Sequence, residues 1–345
     1  MPTPEPPEKA ETTGTPVTPE GGKVADDPWE RMPEDALNRP GAAGAGEDRE
    51  DEGASPAAGS PDGGGEADGG ETGGGEAARA ESWADFLPSP VFVLLLGLTG
   101  FAGWLSWQAV ELDWAAEDTS VTPLIPPLMI LLGWIVSCAV HEFAHALAAH
   151  LAGDRSLRGS AYLRLNPFAY QHAFAGLVLP VLYLGFGAFG MNGPAAQVSW
   201  DRIGPGRRVL VALAGPLANL VLFAALAGTV SFLVPAGQDT TNWAIAAMAF
   251  LAFANLTSAL VNLLPVPGLD GFEVLAAAVG DRPWVRAARA NALFGSVLVF
   301  AVLWFPSVHD KLVELVYALF HAVLPNPAFQ GFAFLGELLL QFWNA

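Results

Sequence analysis

From Pro88 onward, apolar residues gather in long blocks separated by short polar connections. A helix needs roughly 20 apolar residues to cross the hydrocarbon core of a bilayer. Blocks at 88–110, 123–152, 208–234, 243–264 and 290–305 each predict a membrane-spanning helix. One such block would suit a buried core helix in a soluble protein; five in one chain would not. The block 174–190 is apolar too, but it is short and holds Pro180 and glycines. The last stretch, 311–345, is interrupted by Pro325 and Pro327. It predicts two interfacial or re-entrant helices, or one further span. The fold class expected is an all-α, multi-pass membrane protein.

Residues 1–82 have the opposite pattern, dominated by Gly, Pro, Ala, Glu, Asp and Thr, with runs such as Gly63-Gly64-Gly65. Such a segment buries too little apolar surface to offset the entropy lost on ordering. The expected organisation is therefore a disordered acidic tail over 1–84 and a membrane-embedded domain over 85–345. The start is Pro/Glu-rich, with no basic region before an apolar one, so it does not read as a secretory signal. Residues 26–40, with Trp29 and Met32, read either as an incidental island or as a docking motif for a cytoplasmic partner.

The formal charge of −19 averages two unlike parts. The first 90 residues hold 21 acids and 6 bases, and the remainder holds 14 and 10. No basic face exists to meet phosphates, which excludes a nucleic-acid partner. One cysteine, Cys138, excludes an internal disulfide framework and a cysteine zinc cluster.

With so few charges in the body, arginine placement sets orientation. Arg155, Arg158 and Arg164 lie in one connection, Arg202, Arg207 and Arg208 in a second, and Arg282, Arg286 and Arg289 in a third. The loops 111–122 and 235–242 have no base. If 174–190 crossed the membrane, the basic loops would fall on opposite sides. If it dips in and returns, all three face the cytoplasm. The charge rule favours re-entrance, in a cell-membrane protein with its tail cytoplasmic.

Ionisable side chains at membrane depth are costly unless paired or liganded, so each is a functional candidate. The second block contains His141-Glu142-Phe143-Ala144-His145. Four residues apart on a helix, two imidazoles share one face at the spacing of two ligands to one zinc ion. Glu142 lies beside them as a general base for hydrolysis. His150 falls half a revolution from His141, away from this site. A catalytic zinc usually has three protein ligands. Asp270, which follows an apolar helix and the bends at Pro265 and Pro267, is the candidate third ligand; by itself it would read as a turn or helix-cap residue. Re-entrance also places Asp270 and the His pair toward the same leaflet. Cys138 reads as a small packing residue, and His172, His309 and His321 receive no role.

These elements resemble the site-2 protease family of intramembrane zinc metalloproteases, peptidase family M50. The resemblance rests on His141 to His145, and on Asn262 to Gly271 as NxxPxPxLDG. Leu165-Asn166-Pro167 and the helix from Leu210 to Asn219 between them also match, so it covers about 124–280. It implies a three-helix core with a hairpin between the first two helices, flanked by further helices, including those of 308–345. It also implies one zinc on His141, His145 and Asp270, with Glu142 as base. Asn262 would hold substrate or the oxyanion. The expected activity is hydrolysis of a peptide bond within or beside a transmembrane segment of a membrane-protein substrate, in regulated intramembrane proteolysis. Two departures stand out: Gln171-His172-Ala173-Phe174 follows the LNP element, and Phe272-Glu273 follows the LDG. No stretch reads as a PDZ or CBS domain. The rival class is a non-proteolytic membrane protein, either a proton or metal transporter or an inactive scaffold.

Overall fold

The structure is a computed structural model that describes residues 86–109, 124–193, 198–324 and 326–342. All of them lie in one compact unit, 74–345. The expected tail, 1–84, and the acidic loop, 111–122, lie outside the described residues. Among the described residues every regular element is helical.

Helix α1 (Pro90–Trp107) begins where the Ser89 hydroxyl accepts the Phe92 amide at 3.1 Å, with Pro90 in the first turn, where no backbone donor is required. Helix α2 (Ile125–Ala152) also has prolines in its first turn, Pro126 and Pro127, but no side-chain cap. After α3 (Leu179–Gly187) comes α4 (Pro205–Leu233), and then α5 (Trp243–Asn262). Asn242 caps α5 by accepting the Ala244 and Ile245 amides at 3.0 and 3.3 Å. The apolar stretch of α5 is 89% buried and that of α1 22%, so α5 is the centre of the bundle and α1 a flank. Leu94, Leu96, Phe101 and Trp104 on α1 are exposed. That surface suits hydrocarbon and would be a liability in water.

Four of the five expected spans appear as single long helices. The fifth, 290–305, appears as one short helix set off by a bend before it and a new helix after it. α7 (Pro283–Ala290) meets α8 (Ala292–Leu303) at 67°, and α8 alone, about 18 Å long, is short of a bilayer core of roughly 30 Å. Pro306 then starts a new helix, α9 (Pro306–Val323), because it cannot extend the hydrogen-bond ladder of α8. The stretch 311–345 yields the rest of α9 and then α10 (Ala328–Leu340), which packs on α5 with Gly336 against the Ala246 carbonyl.

The segment 174–190 does not cross the bundle. Phe174–Val178 winds as a π-helix and continues into α3; together they span about 21 Å. Ala188, in the left-handed region at φ 54°, ends the helix. Residues 188–193 then run back as buried, non-helical chain. A Cβ on Gly193 would stand 1.7 Å from the Ala175 carbonyl oxygen, so the segment finishes where it began. Only glycine permits that approach.

The three arginine-bearing connections gather at one end of the bundle. Arg207 donates to the Ala152 carbonyl at 3.2 Å, Arg202 lies 3.6 Å from Asp154, and the Arg289 guanidinium stands 5.7 Å over the Trp200 ring. At the other end, Asn242 donates to the Trp107 carbonyl at 3.2 Å and Asn326 to the Val234 carbonyl at 3.3 Å. This segregation is what a re-entrant 174–193 requires.

Candidate metal centre

Helix α2 carries His141, Glu142 and His145 inward; each is at most 2% exposed. Asp270 is brought to them by the turn after α5. There Leu264, Val266 and Leu269 make short-range backbone bonds to Val261, Leu264 and Val266, and the chain re-enters a helix at α6 (Asp270–Val279). Asp270 is the first residue of that helix and is 3% exposed.

The donor atoms converge. His141 Nε2 and His145 Nε2 are 3.1 Å apart, Asp270 Oδ1 is 3.1 Å from His145 Nε2, and Asp270 Oδ2 is 3.4 Å from His141 Nε2. Among the described residues these three form the one cluster of metal-type donors. Tetrahedral zinc with ligands at about 2.0–2.1 Å spaces its donors by roughly 3.3 Å. The observed separations match that spacing.

The partners of the imidazoles make the donor set more specific. His145 Nδ1 lies 2.8 Å from the Val211 carbonyl, which can only accept, so Nδ1 carries the proton there. His141 Nδ1 lies 3.2 Å from Asn219 Oδ1, again an acceptor. A neutral imidazole bonded in this way leaves its Nε2 lone pair free, so two lone pairs and a carboxylate face one point. A cation fits there.

Gly215 of α4 leaves the room. A Cβ at that position would lie 2.2 Å from His145 Nε2 and 2.6 Å from His141 Nε2. In the sequence Gly215 is one residue of the matching helix 210–219, with no local signal that marks it as part of the site. Val211 and Asn219 lie four residues to either side of it, so one face of α4 supplies the opening and both supports.

Asn262 lies at the end of α5, 1% exposed, and its amide donates to Asn192 Oδ1 and Ser258 Oγ, each at 3.2 Å. Asn192, from the returning, non-helical limb of the re-entrant segment, carries no local sequence signal. His150 is elsewhere, 3.0 Å from Arg155 and edge-on to Phe86 at 5.3 Å. Cys138 packs in the core near Trp134, and His309 packs against Phe189. The departure at Glu273 has a structural partner: its carboxylate takes three hydrogen bonds from Arg289 at 2.6 to 3.1 Å.

Compared with known proteins, the chain matches Peptidase family M50 over residues 129–236 and 223–303. It is 36% identical over 261 residues to "Putative zinc metalloprotease Rip2" of Mycobacterium tuberculosis (strain H37Rv), covering 74% of this chain and 95% of that protein. The Mycolicibacterium smegmatis protein of the same name is 34% identical over 263 residues, covering 75% and 95%. "Putative zinc metalloprotease YwhC" of Bacillus subtilis is 33% identical over 197 residues, covering 52% and 81%. No solved structure matches the chain.

Proposed function

The chain belongs to peptidase family M50 and is a multi-pass membrane zinc metalloprotease; from that premise we propose that it cuts a peptide bond within or beside a transmembrane helix of a substrate protein, using Glu142 as base and His141, His145 and Asp270 as zinc ligands. The observation that carries this reading is the convergence of two imidazole lone pairs and a carboxylate, buried beside Glu142 in apolar surroundings.

Bound zinc supplies Lewis acidity, polarising a carbonyl and acidifying water. The residues of the chain do the rest. Val211 and Asn219 hold the imidazole tautomers. Glu142, on the same turn as His145, takes a proton from the attacking water and delivers it to the leaving amine. Asn262 is proposed to support the substrate or the oxyanion from the same end of α5. A helical substrate hides its carbonyls in its own hydrogen bonds, so it must unwind before attack. An apolar cavity of about 660 Å³ between α1, α2, α4 and α5 reaches Ser137, one turn before His141. It supports approach of an apolar segment from the side.

We also propose a cell-membrane location, with the arginine-bearing connections and the N-terminal segment on the cytoplasmic side. Regulated intramembrane proteolysis is the setting that fits such a site. The transporter and scaffold alternatives draw no support from the relatives, which are named as proteases.

Two measurements test the assignment. Membrane fragments from cells with the native chain and with Glu142→Gln should differ, because the variant loses activity by about 10²-fold or more. Purified Glu142→Gln should retain zinc and Asp270→Ala should lose it. Cleavage sustained by Glu142→Gln refutes the base, and full zinc in Asp270→Ala refutes the ligand.

A further inference from the structure

Asn192 sits on the returning, non-helical limb of the re-entrant segment, 2% exposed, and its side-chain oxygen collects three donors. Asn219 Nδ2 and Asn262 Nδ2 each reach it at 3.2 Å, and the Ser258 hydroxyl donates to it in a short bond. Asn219 Nδ2 also reaches Ser258 Oγ at 2.6 Å. All four side chains are buried, so each polar group depends on the others for its partners.

We propose that Asn192 is a positioning residue of the metal centre, acting on His141 through the orientation of the Asn219 amide. This rests on the proposed role of His141 as a zinc ligand. An asparagine amide can face a histidine in two ways, oxygen or NH₂ first. With its oxygen toward His141, Asn219 keeps the imidazole proton on Nδ1 and leaves Nε2 open to a cation. With its NH₂ toward His141, it forces the proton onto Nε2 and closes the ligand. What selects the first state is an acceptor on the far side of Asn219. Ser258 cannot select by itself, because a hydroxyl donates or accepts by rotation. The Asn192 oxygen can, because it takes up the Ser258 proton and accepts from Asn219 directly. Without it, the hydroxyl turns toward Asn219 and the flipped amide becomes equally well satisfied.

The re-entrant segment thereby reaches the zinc ligand through two side chains. Its seating is secured by neighbouring contacts: the Gly190 amide donates to Thr257 Oγ1 at 2.8 Å, and Gly193 closes on Ala175. Displacement of this segment should loosen metal as well as substrate.

The test is zinc retained by the purified full-length protein during titration with a competing chelator. Asn192→Ala and Asn192→Leu, the latter filling the volume without an acceptor, should release zinc at about 10- to 100-fold lower chelator concentration. Asn192→Asp, which keeps an acceptor oxygen, should restore native retention. Ser258→Ala should stay close to native, because Asn219 still meets Asn192. Helix content by circular dichroism controls for folding. Native retention in both Asn192→Ala and Asn192→Leu overturns the proposal. So does an Asn192→Asp variant as weak as they are, or a Ser258→Ala variant that matches their loss. If native protein and His145→Ala bind zinc equally, the ligand assignment itself falls, and the two failures are told apart.

Discussion

Gly215 faces both imidazoles across the point where a metal fits: its absent Cβ would stand 2.2 Å from His145 Nε2. No side chain can share that space with a cation. Gly215→Ala should therefore purify with little zinc and lose activity by at least about 100-fold, by blocking rather than by removing a ligand. Because Gly215 lies in mid-helix, alanine should favour α4 itself by up to about 1 kcal/mol. Loss of zinc with undiminished helix content is the signature; native zinc in this variant would mean that the cation sits elsewhere.

Glu273 and Arg289 tie the helix that begins with Asp270 to α7. The guanidinium donates to both carboxylate oxygens, and the side chains are 13% and 26% exposed. A charge-assisted pair of this kind, partly shielded from water, should show a coupling of about 1–2 kcal/mol. The double-mutant cycle of Glu273→Ala and Arg289→Ala, read by thermal unfolding in detergent, measures it. Additive single effects would show that the pair does not hold α6.

Asp154 organises the arginine-rich end. Burial opposes its charge, but the Ser156 hydroxyl, the Ser199 amide, the Ser156 amide and Arg202 together outweigh that and hold its carboxyl below the usual carboxylate range. A depressed folded-state pKa stabilises the fold above the unfolded value of about 3.9, and the contribution is lost as pH falls through the folded value. Asp154→Ala should thus be less stable than native by about 1–3 kcal/mol at neutral pH. The gap should narrow below about pH 4. Unfolding curves of both proteins across that range decide it; a gap that widens on acidification contradicts the sign.

Much of the candidate site could be read locally. His141 and His145 are one turn apart on a helix whose apolar composition makes any titratable group conspicuous, and that relationship needs no tertiary contact. The helices themselves followed from apolar block length, and the end of 174–190 from the charges around it. The shortness of the helix in 290–305 did not follow, because block length says nothing of the 67° bend that separates α8 from α7 or of the new helix that starts at Pro306. Nor did the surroundings of the metal centre. Val211 meets His145 across 66 positions, Asn219 meets His141 across 78, and Asn192 meets Asn262 across 70. A backbone carbonyl has no sequence signature, and a buried asparagine is chosen by the groups it must satisfy, which lie on other helices. Gly215 illustrates the limit most plainly: its contribution is an unfilled volume. By itself the sequence determined which side chains could carry the chemistry and that they lie in a membrane. Only the packing of α4 and the re-entrant segment against α2 decided how those side chains are held, because tautomer, amide orientation and free space are properties of neighbours.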